Sequence, residues 1–205
     1  FTPGRVKTTK ADLDVWGSDW TRSFEVAPSA IVFPRTVEEV VAVTRLANEH
    51  GWALVPSGCR TGLAGGAVAT QGEVVVSFDE MNRVLNFDPA DRLLRSEAGV
   101  VTKAVQQYAL DKGLFYPVEF ASSGSSQIGG IISTNAGGIK VIRYGLTREW
   151  IAGIKVVTGT GEVIDCNNGL VKNATGYDLR HLFIGAEGPL GFVVEADIRL
   201  LQMPP

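Results

Sequence analysis

The fold is decided by one stretch of this sequence, Pro56-Ser57-Gly58-Cys59-Arg60-Thr61-Gly62-Leu63-Ala64-Gly65-Gly66-Ala67. It follows Ala53-Leu54-Val55, an apolar run typical of a strand, so its glycines lie at the carboxyl end of a predicted strand. Successive glycines let backbone N–H groups converge on an anion. Arg60 is the only charged residue between positions 54 and 72, so neutral amides are the expected donors. The stretch therefore predicts a phosphate-binding loop, with a mobile surface loop as the alternative.

Composition places the chain among ordinary globular proteins. It has 205 residues, 45% hydrophobic and 20% charged, with a formal net charge of -3. These values fit one well-cored domain, or two small lobes that share a ligand. No basic run favours nucleic acid, and no apolar run approaches the ~20 residues of a membrane span. Cys59 and Cys166 form no Cys-x-x-Cys pair, so we expect neither a metal site nor a disulfide framework, and a reducing, cytoplasmic compartment.

Glycine is concentrated in three short clusters, at residues 58–66, 124–138 and 185–191. Between residues 121 and 138 no side chain is ionisable, and serine, threonine, glutamine and asparagine alternate with isoleucine. This composition favours a buried irregular segment that offers hydroxyls and amides to a polar ligand, whereas a turn around a short helix is the alternative. The third cluster, taken alone, is equally consistent with a simple turn.

The pattern of apolar residues and caps predicts an α+β protein with the order βαβ, ββ, α, ββ, α, β. One helix should begin after Thr36 and end at Gly51, and a second should be capped by Thr102 and end at Gly113. Two hairpins are expected, over 83–97 and 154–165, with a short helix at 179–183 and a last strand at 192–200. Residues 1–28 are expected to form an irregular wrap.

Two common nucleotide-binding motifs are excluded. No glycine is followed by lysine, so the chain has no Walker A loop. The Gly159-x-Gly161 pair has Ile164 where a Rossmann loop needs its third glycine, and it lies in a predicted hairpin.

Four motifs together carry a resemblance to a known family: residues 56–67; Ile128-Gly129-Gly130 with residues 134–138; Arg143-Tyr144-Gly145; and residues 175–179 continuing to 182–191. From about Trp16 to Leu200 the chain resembles the PCMH-type FAD-binding domain of the vanillyl-alcohol-oxidase-type flavoproteins. It is most similar to the branch with D-lactate dehydrogenase, the glycolate oxidase flavin subunit and D-2-hydroxyglutarate dehydrogenase.

The resemblance implies two small α/β lobes, over about residues 28–90 and 91–203, with FAD bound between them. It implies a pyrophosphate site formed by Pro56, Ser57, Gly58, Cys59, Arg60, Thr61, Gly62 and Gly66. The ribityl and adenosine side would be lined by Pro117, Glu119, Ala121, Ser122, Ser123, Ser125 and Ser126. Gly129, Gly130, Thr134 and Asn135 would continue that wall toward the flavin, and Gly137 and Gly138 would also bind the cofactor. The adenine end would be held by Glu187, Gly188, Gly191 and Phe192. Cys59 departs from the family, which often has glycine there, and Pro189 replaces a usual threonine or serine.

The implied activity is oxidation of a 2-hydroxy acid by hydride transfer to flavin N5, with non-covalent FAD because the first loop contains no histidine. His50 and His181 favour structural roles, and Lys172 and Arg143 are candidate cations near the flavin. The base and the carboxylate clamp are expected in a C-terminal substrate domain absent from this chain. The alternatives are another oxidase on the same scaffold, such as a sugar oxidase or an ether-lipid synthase relative, and a non-catalytic nucleotide-binding module. Substrate and electron acceptor stay open.

Overall fold

The computed structural model describes residues 1–167, 169–170 and 172–204. Its first lobe contains β1 (Val6–Lys7), α1 (Lys10–Trp16), β2 (Ala30–Val32), α2 (Val37–His50), β3 (Leu54–Ser57) and β4 (Val74–Ser77). The four strands form one sheet in the order β1-β2-β4-β3. Strands β2 and β3 both pair with β4 in parallel, so their carboxyl ends meet at the same edge of the sheet.

The second lobe is built on an antiparallel sheet. It contains β5 (Val84–Asp88), β6 (Leu93–Glu97), α3 (Thr102–Asp111), β7 (Leu114–Phe115), α4 (Ile128–Ser133), α5 (Val141–Tyr144), β8 (Ile151–Thr158), β9 (Val163–Cys166), α6 (Arg180–Phe183), β10 (Gly191–Arg199) and β11 (Leu201–Gln202). Its main sheet has the order β5-β6-β10-β8-β9, and β7 pairs with β11. The expected division at about residue 90 assigns β5 to the first lobe, whereas its hydrogen bonds run to β6 in the second sheet.

Strand β10 connects the lobes through its two faces. Val193, Ala196 and Ile198 pack in a core cluster with α3 and α4. Phe192 and Val194 belong to a second cluster that includes residues of β2, α2 and β4. Side chains alternate across a strand, and the register shift between Val193 and Glu195 interrupts this alternation. Phe192 and Val194 therefore reach one core, and Val193, Ala196 and Ile198 reach the other. The lobes therefore share apolar packing beside the edge where β3 and β4 end.

Several local predictions are confirmed. Helix α2 begins after Thr36, whose hydroxyl accepts from the N–H of Glu39, and it ends at Gly51 in the left-handed conformation. Both predicted hairpins are present as antiparallel pairs, β5–β6 and β8–β9. No helix among the described residues is long and apolar enough to cross a membrane.

Other predictions were wrong, in part because long-range contacts decide the local structure. Residues 1–28 contain β1, which pairs with β2, and helix α1, which is capped by Thr9. Thr102 is the first residue of α3 rather than its cap, because its N–H and hydroxyl both bond the carbonyl of Ser126. The 121–138 segment contains the short helix α4, which agrees with the alternative of a turn around a short helix rather than with the favoured irregular segment. The apolar stripes of the two predicted helices would place Leu46, Ala104 and Leu110 inward, but the structure exposes all three.

Candidate functional site

The first glycine cluster forms a loop at the carboxyl end of β3. Pro56 and Ser57 belong to the strand itself, and the loop begins at Gly58. In the described part of the chain, no oxygen accepts a hydrogen bond from the backbone N–H groups of residues 59–64. Such groups need water or a ligand as partner. We name residues 58–66 the amide loop. Among the described residues, its N–H groups at 59–64 are donors without protein acceptors, as an anion site requires.

Side chains in the amide loop are less available than its backbone. The hydroxyl of Ser57 is buried and donates to the carbonyl of Gly58, so it does not face a ligand. The Arg60 guanidinium donates to the same carbonyl at 2.7 Å and lies 3.6 Å from the Asp79 carboxylate. Burial raises the pKa of the half-buried Cys59 thiol, and nearby Asp79 raises it further. The loop therefore offers neutral amides and a neutral thiol.

The N-terminal segment anchors the far end of the amide loop. The carboxylate of Asp19, which is buried, accepts from the N–H of Gly65 at 2.9 Å. A Cβ on Gly65 would lie 2.6 Å from the ring of Phe24, and the φ of Gly65 is +80°. Because L side chains rarely adopt this conformation, glycine is required there by both conformation and packing.

Helix α4 brings the three glycine clusters together. Gln127, directly before α4, lies so close to Gly58 that a Cβ on the glycine would be 3.0 Å from its Oε1. At the other end of α4, the carbonyls of Ile132 and Ser133 accept from the N–H groups of Gly185 and Glu187. Across the opening, a Cβ on Gly188 would lie 2.7 Å from the ring of Pro56. The amide loop, α4 and the 185–191 turn are therefore neighbours.

The glycines of these clusters divide by what a side chain would meet. Gly129 packs on Ala98, and Gly137 on Leu146. Gly138 would place a Cβ against the carbonyl of Glu119, and Gly191 against that of Val157. At four others a Cβ would meet nothing within 4 Å: Gly62, Gly66, Gly124 and Gly130. There is therefore open space beside these four glycines. At Gly129, Gly137, Gly138 and Gly191, by contrast, the missing side chain allows neighbouring protein atoms to pack closely.

The serines divide in the same way. Ser126 is buried and its hydroxyl lies 2.9 Å from that of Thr102. Ser123 is also buried, and its hydroxyl bonds the backbone of Phe120. The remaining residues of this segment reach the surface and are available to a ligand: Ala121, Ser122, Gly124 and Ser125.

Some residues implied by the resemblance have other partners. Thr134 donates its hydroxyl to the carbonyl of Gly130, and Asn135, at φ +47°, accepts from the N–H of Arg148. Phe192 is buried, with its ring centroid 5.9 Å from that of Phe78, so its side chain packs between the lobes. Pro117 is buried, and Glu119 forms an ion pair with Lys140.

The basic residues considered for catalysis lie at the surface. His50 bonds the carbonyl of Leu46, and His181 lies 3.5 Å from Asp178. Arg180, which was not among the basic residues considered from the sequence, donates hydrogen bonds to Asp178. These bonds hold the pKa of Asp178 below its usual value. Lys172 and Arg143 are exposed. Among the described residues, none of these basic groups forms a hydrogen bond or an ion pair with the amide loop. In the same part of the chain no cluster of three or more His, Cys, Asp or Glu residues could hold a metal.

Trp16, Asp19 and Asp79 were not among the expected site residues, and Gln127 was predicted only as one of the polar residues of the 121–138 segment. Asp79 had a usable signal, because it follows the buried strand β4, whose carboxyl end lies next to that of β3 in a parallel pair. Ligands in sheets of this kind bind beyond the carboxyl ends of the strands.

A family model described as an FAD binding domain matches residues 28–167. The chain belongs to this FAD-binding family. D-2-hydroxyglutarate dehydrogenase of Stutzerimonas stutzeri (strain A1501) is 63% identical over 202 residues, 98% of this chain and 44% of the relative. The glycolate oxidase subunit GlcD of Bacillus subtilis (strain 168) is 37% identical over 98% of this chain and 43% of that protein. The chain thus spans less than half the length of these curated relatives.

Solved structures confirm the expected fold. Alkyldihydroxyacetonephosphate synthase superposes with a TM-score of 0.88 at 22% identity, over 100% of this chain and 39% of that chain. The α+β architecture is therefore that of the PCMH-type FAD-binding fold. FAD is the cofactor of this domain family, and the donors present fit it. Among the described residues the N–H groups of 59–64 have no protein acceptor, and there is open space beside Gly62, Gly66, Gly124 and Gly130.

Proposed function

We propose that this chain is the cofactor domain of an FAD-dependent dehydrogenase that oxidises a 2-hydroxy acid. Among the D-lactate, glycolate and D-2-hydroxyglutarate types, we favour D-2-hydroxyglutarate, because two relatives of that name are 63% and 58% identical over nearly the whole chain. The observation that carries the cofactor assignment is the run of backbone N–H groups at residues 59–64 without protein acceptors.

The amide loop is proposed to bind the pyrophosphate of FAD. Neutral amides held in place stabilise a delocalised anion without the desolvation penalty of a buried counter-charge. Pro56 lies in β3 just before the loop, and its ring packs on Gly188 of the 185–191 turn. The other residues proposed to meet the pyrophosphate are Gly58, Cys59, Arg60, Thr61, Gly62 and Gly66, acting through the backbone.

The rest of the cofactor is proposed to follow α4 between the lobes. Ser122, Ser125, Gly130 and Thr134 carry surface groups on this side. By contrast, Gly129, Gly137, Gly138, Ser123, Ser126 and Phe192 are assigned supporting roles because their contacts lie inside the protein. Neither histidine lies in the amide loop, so the binding is proposed to be non-covalent.

FAD supplies an N5 atom that accepts hydride from the carbon bearing the substrate hydroxyl. This chain's residues are proposed to bind and orient that group and to exclude water from the cleft. We assign the hydroxyl base and the carboxylate clamp to a substrate domain outside this chain, since the relatives are more than twice as long. A reducing compartment such as the cytoplasm is part of the proposal; both cysteines of the chain are free thiols.

The first experiment measures which part of FAD is recognised. The purified chain is titrated with FAD, ADP and riboflavin, and ADP is tested as a competitor. Recognition through the pyrophosphate predicts that FAD and ADP bind and riboflavin does not. Gly62→Ala should weaken FAD binding, because it adds a methyl group beside the donor amides. Gly159→Ala is a matched control, because a Cβ on Gly159 also meets nothing within 4 Å. Gly159 lies in the β8–β9 turn, so this variant should bind FAD like the wild type. Equal affinity for riboflavin and FAD, or no binding of either, would contradict the proposal.

The second experiment tests the reaction with the longer protein that contains this domain. A panel of D- and L-2-hydroxy acids is assayed with an artificial electron acceptor. D-2-hydroxyglutarate is expected to reduce the artificial electron acceptor. If only a sugar or an ether-lipid precursor reduced the acceptor, another oxidase on this scaffold would be favoured. FAD binding without turnover of any compound would favour the non-catalytic alternative.

A further inference from the structure

One carboxylate joins four segments beneath the amide loop. Asp79 Oδ2 accepts from the indole N–H of Trp16 at 3.0 Å, and its Oδ1 accepts from Nε2 of Gln127 at 3.0 Å. The guanidinium of Arg60 lies 3.6 Å from the same carboxylate. Trp16 ends α1, Asp79 follows β4 and Gln127 precedes α4, so the contacts reach from the first lobe to the second.

We propose that Asp79 is a positioning residue that holds the amide loop in its anion-binding shape, with Trp16 and Gln127 as its supports. The inference rests on the proposed FAD site and extends it to Trp16, which lies outside the family match at 28–167.

The strained backbone of Arg60 is the first reason. Its φ is +57°, a conformation that is unfavourable for any residue with a Cβ and that persists only when surrounding contacts hold it. Arg60 is held by its bond to the carbonyl of Gly58, by Asp79 and by stacking on Trp16, whose ring centroid is 5.8 Å from Cζ. Without the carboxylate, Arg60 can relax and the N–H groups of residues 59–64 no longer converge.

The orientation of Gln127 is the second reason. A carboxylate only accepts hydrogen bonds, so Asp79 fixes which end of the Gln127 amide faces it. The other end, Oε1, is buried without a partner in the described structure and lies against Gly58. Asp79 therefore determines which group of Gln127 lines the start of the amide loop.

The test compares Asp79→Asn, Trp16→Phe and the double variant with Trp52→Phe. Trp52 is a matched control because it is half-exposed and stacks on His50. Asp79→Asn should weaken FAD binding about tenfold or more, since it removes bonds to a charged acceptor. Trp16→Phe should weaken it less, and the double variant should match Asp79→Asn, because the indole acts through the carboxylate. Trp52→Phe should bind FAD like the wild type.

A second readout does not need the cofactor. Trypsin cleavage after Arg60, followed by mass spectrometry without FAD, should accelerate in Asp79→Asn at this bond alone. Unchanged cleavage together with unchanged FAD affinity would overturn the inference, as would additive effects in the double variant. A lower unfolding midpoint with faster cleavage at all basic sites would assign Asp79 to general stability and also overturn it. If the wild type binds no FAD, the proposed function fails, and the cleavage rates still decide whether Asp79 holds the loop.

Discussion

Two adjacent glycines of α4 are expected to respond in opposite ways to alanine. Both Gly129 and Gly130 lie in the first turn of the six-residue helix, and neither has a positive φ. A Cβ on Gly129 would lie 2.9 Å from the Cβ of Ala98, whereas a Cβ on Gly130 would meet nothing within 4 Å. Substitution by alanine therefore separates packing from open space at neighbouring positions of one helix.

The magnitudes follow from two competing effects. Alanine in place of glycine stabilises a helix by about 0.5–1 kcal/mol. At position 130 nothing opposes this gain, so the unfolding midpoint should rise by about 1–4 °C for a chain of this size. At position 129 the new methyl group must move about 1 Å to reach normal contact, and overpacking of this kind costs about 1–3 kcal/mol. Moving the methyl group away from Ala98 also strains the 2.7 Å hydrogen bond that the N–H of Gly129 donates to the carbonyl of Ala98. Gly129→Ala should therefore be destabilising.

FAD binding is expected to separate the variants again. Gly130→Ala places a methyl group in the open space proposed for the cofactor, so this more stable variant should bind FAD at least about tenfold more weakly than the wild type, a loss of about 1.4 kcal/mol or more in binding free energy. A stabilising substitution that lowers affinity identifies a ligand surface, because general damage to the fold would lower both.

The assay is thermal unfolding of each variant with and without FAD, together with a fluorescence titration. FAD should raise the unfolding midpoint of the wild type by more than that of Gly130→Ala, since a ligand stabilises the state it binds. The reasoning is refuted if Gly130→Ala binds FAD as tightly as the wild type, or if Gly129→Ala is as stable as Gly130→Ala.

Three further predictions concern other contacts of the site and its anchors. Gly188→Ala should destabilise the protein by about 2 kcal/mol or more and weaken FAD binding, because its φ is +101° and a Cβ would overlap Pro56; wild-type melting would refute this. Hydrogen bonding to Arg5 lowers the pKa of Glu39, so this stabilisation is present above about pH 4.3, the unfolded value, and is lost as the pH falls through the lower folded pKa. Melting curves of Glu39→Gln should therefore lie below those of the wild type at pH 7 and converge with them in acid. Burial raises the pKa of Cys59, so alkylation at pH 7.5 should be slower than that of a free cysteine, accelerate in more alkaline buffer and slow further with FAD.

Local signals explain which parts of the fold were predictable. Helix α2 carries its cap, its acidic first turn and its terminal glycine within the sequence, and the structure has all three. The hairpin strands were found for the same reason, since turn residues lie between two apolar runs. The amide loop could be placed at a strand end because an apolar run precedes it directly.

Long-range contacts explain what the sequence could not predict. Strand β1 has two residues and exists only because β2 offers a partner. Glycine in the second cluster reads alike at every position, yet Gly129 packs on Ala98 while Gly130 faces open space. Serine is equally ambiguous, because Ser126 is buried against Thr102 while Ser125 is exposed. The residue types of the second cluster predicted a ligand site there. Tertiary packing decides which of its glycines and serines face the proposed ligand.

The charged side chains around the amide loop bond to the protein rather than to the proposed anion. Asp19 and Asp79 both lie beneath the loop and bond its backbone or its anchoring side chain, so neither carboxylate needs to face the proposed anion. Arg60 has its charge directed to Asp79 rather than to the opening. The loop can therefore present uncharged N–H groups while its supports are ionic. An anion site of this kind should lose affinity when its supports are neutralised, although no support touches the ligand, and this separates it from a site in which a cation binds phosphate directly.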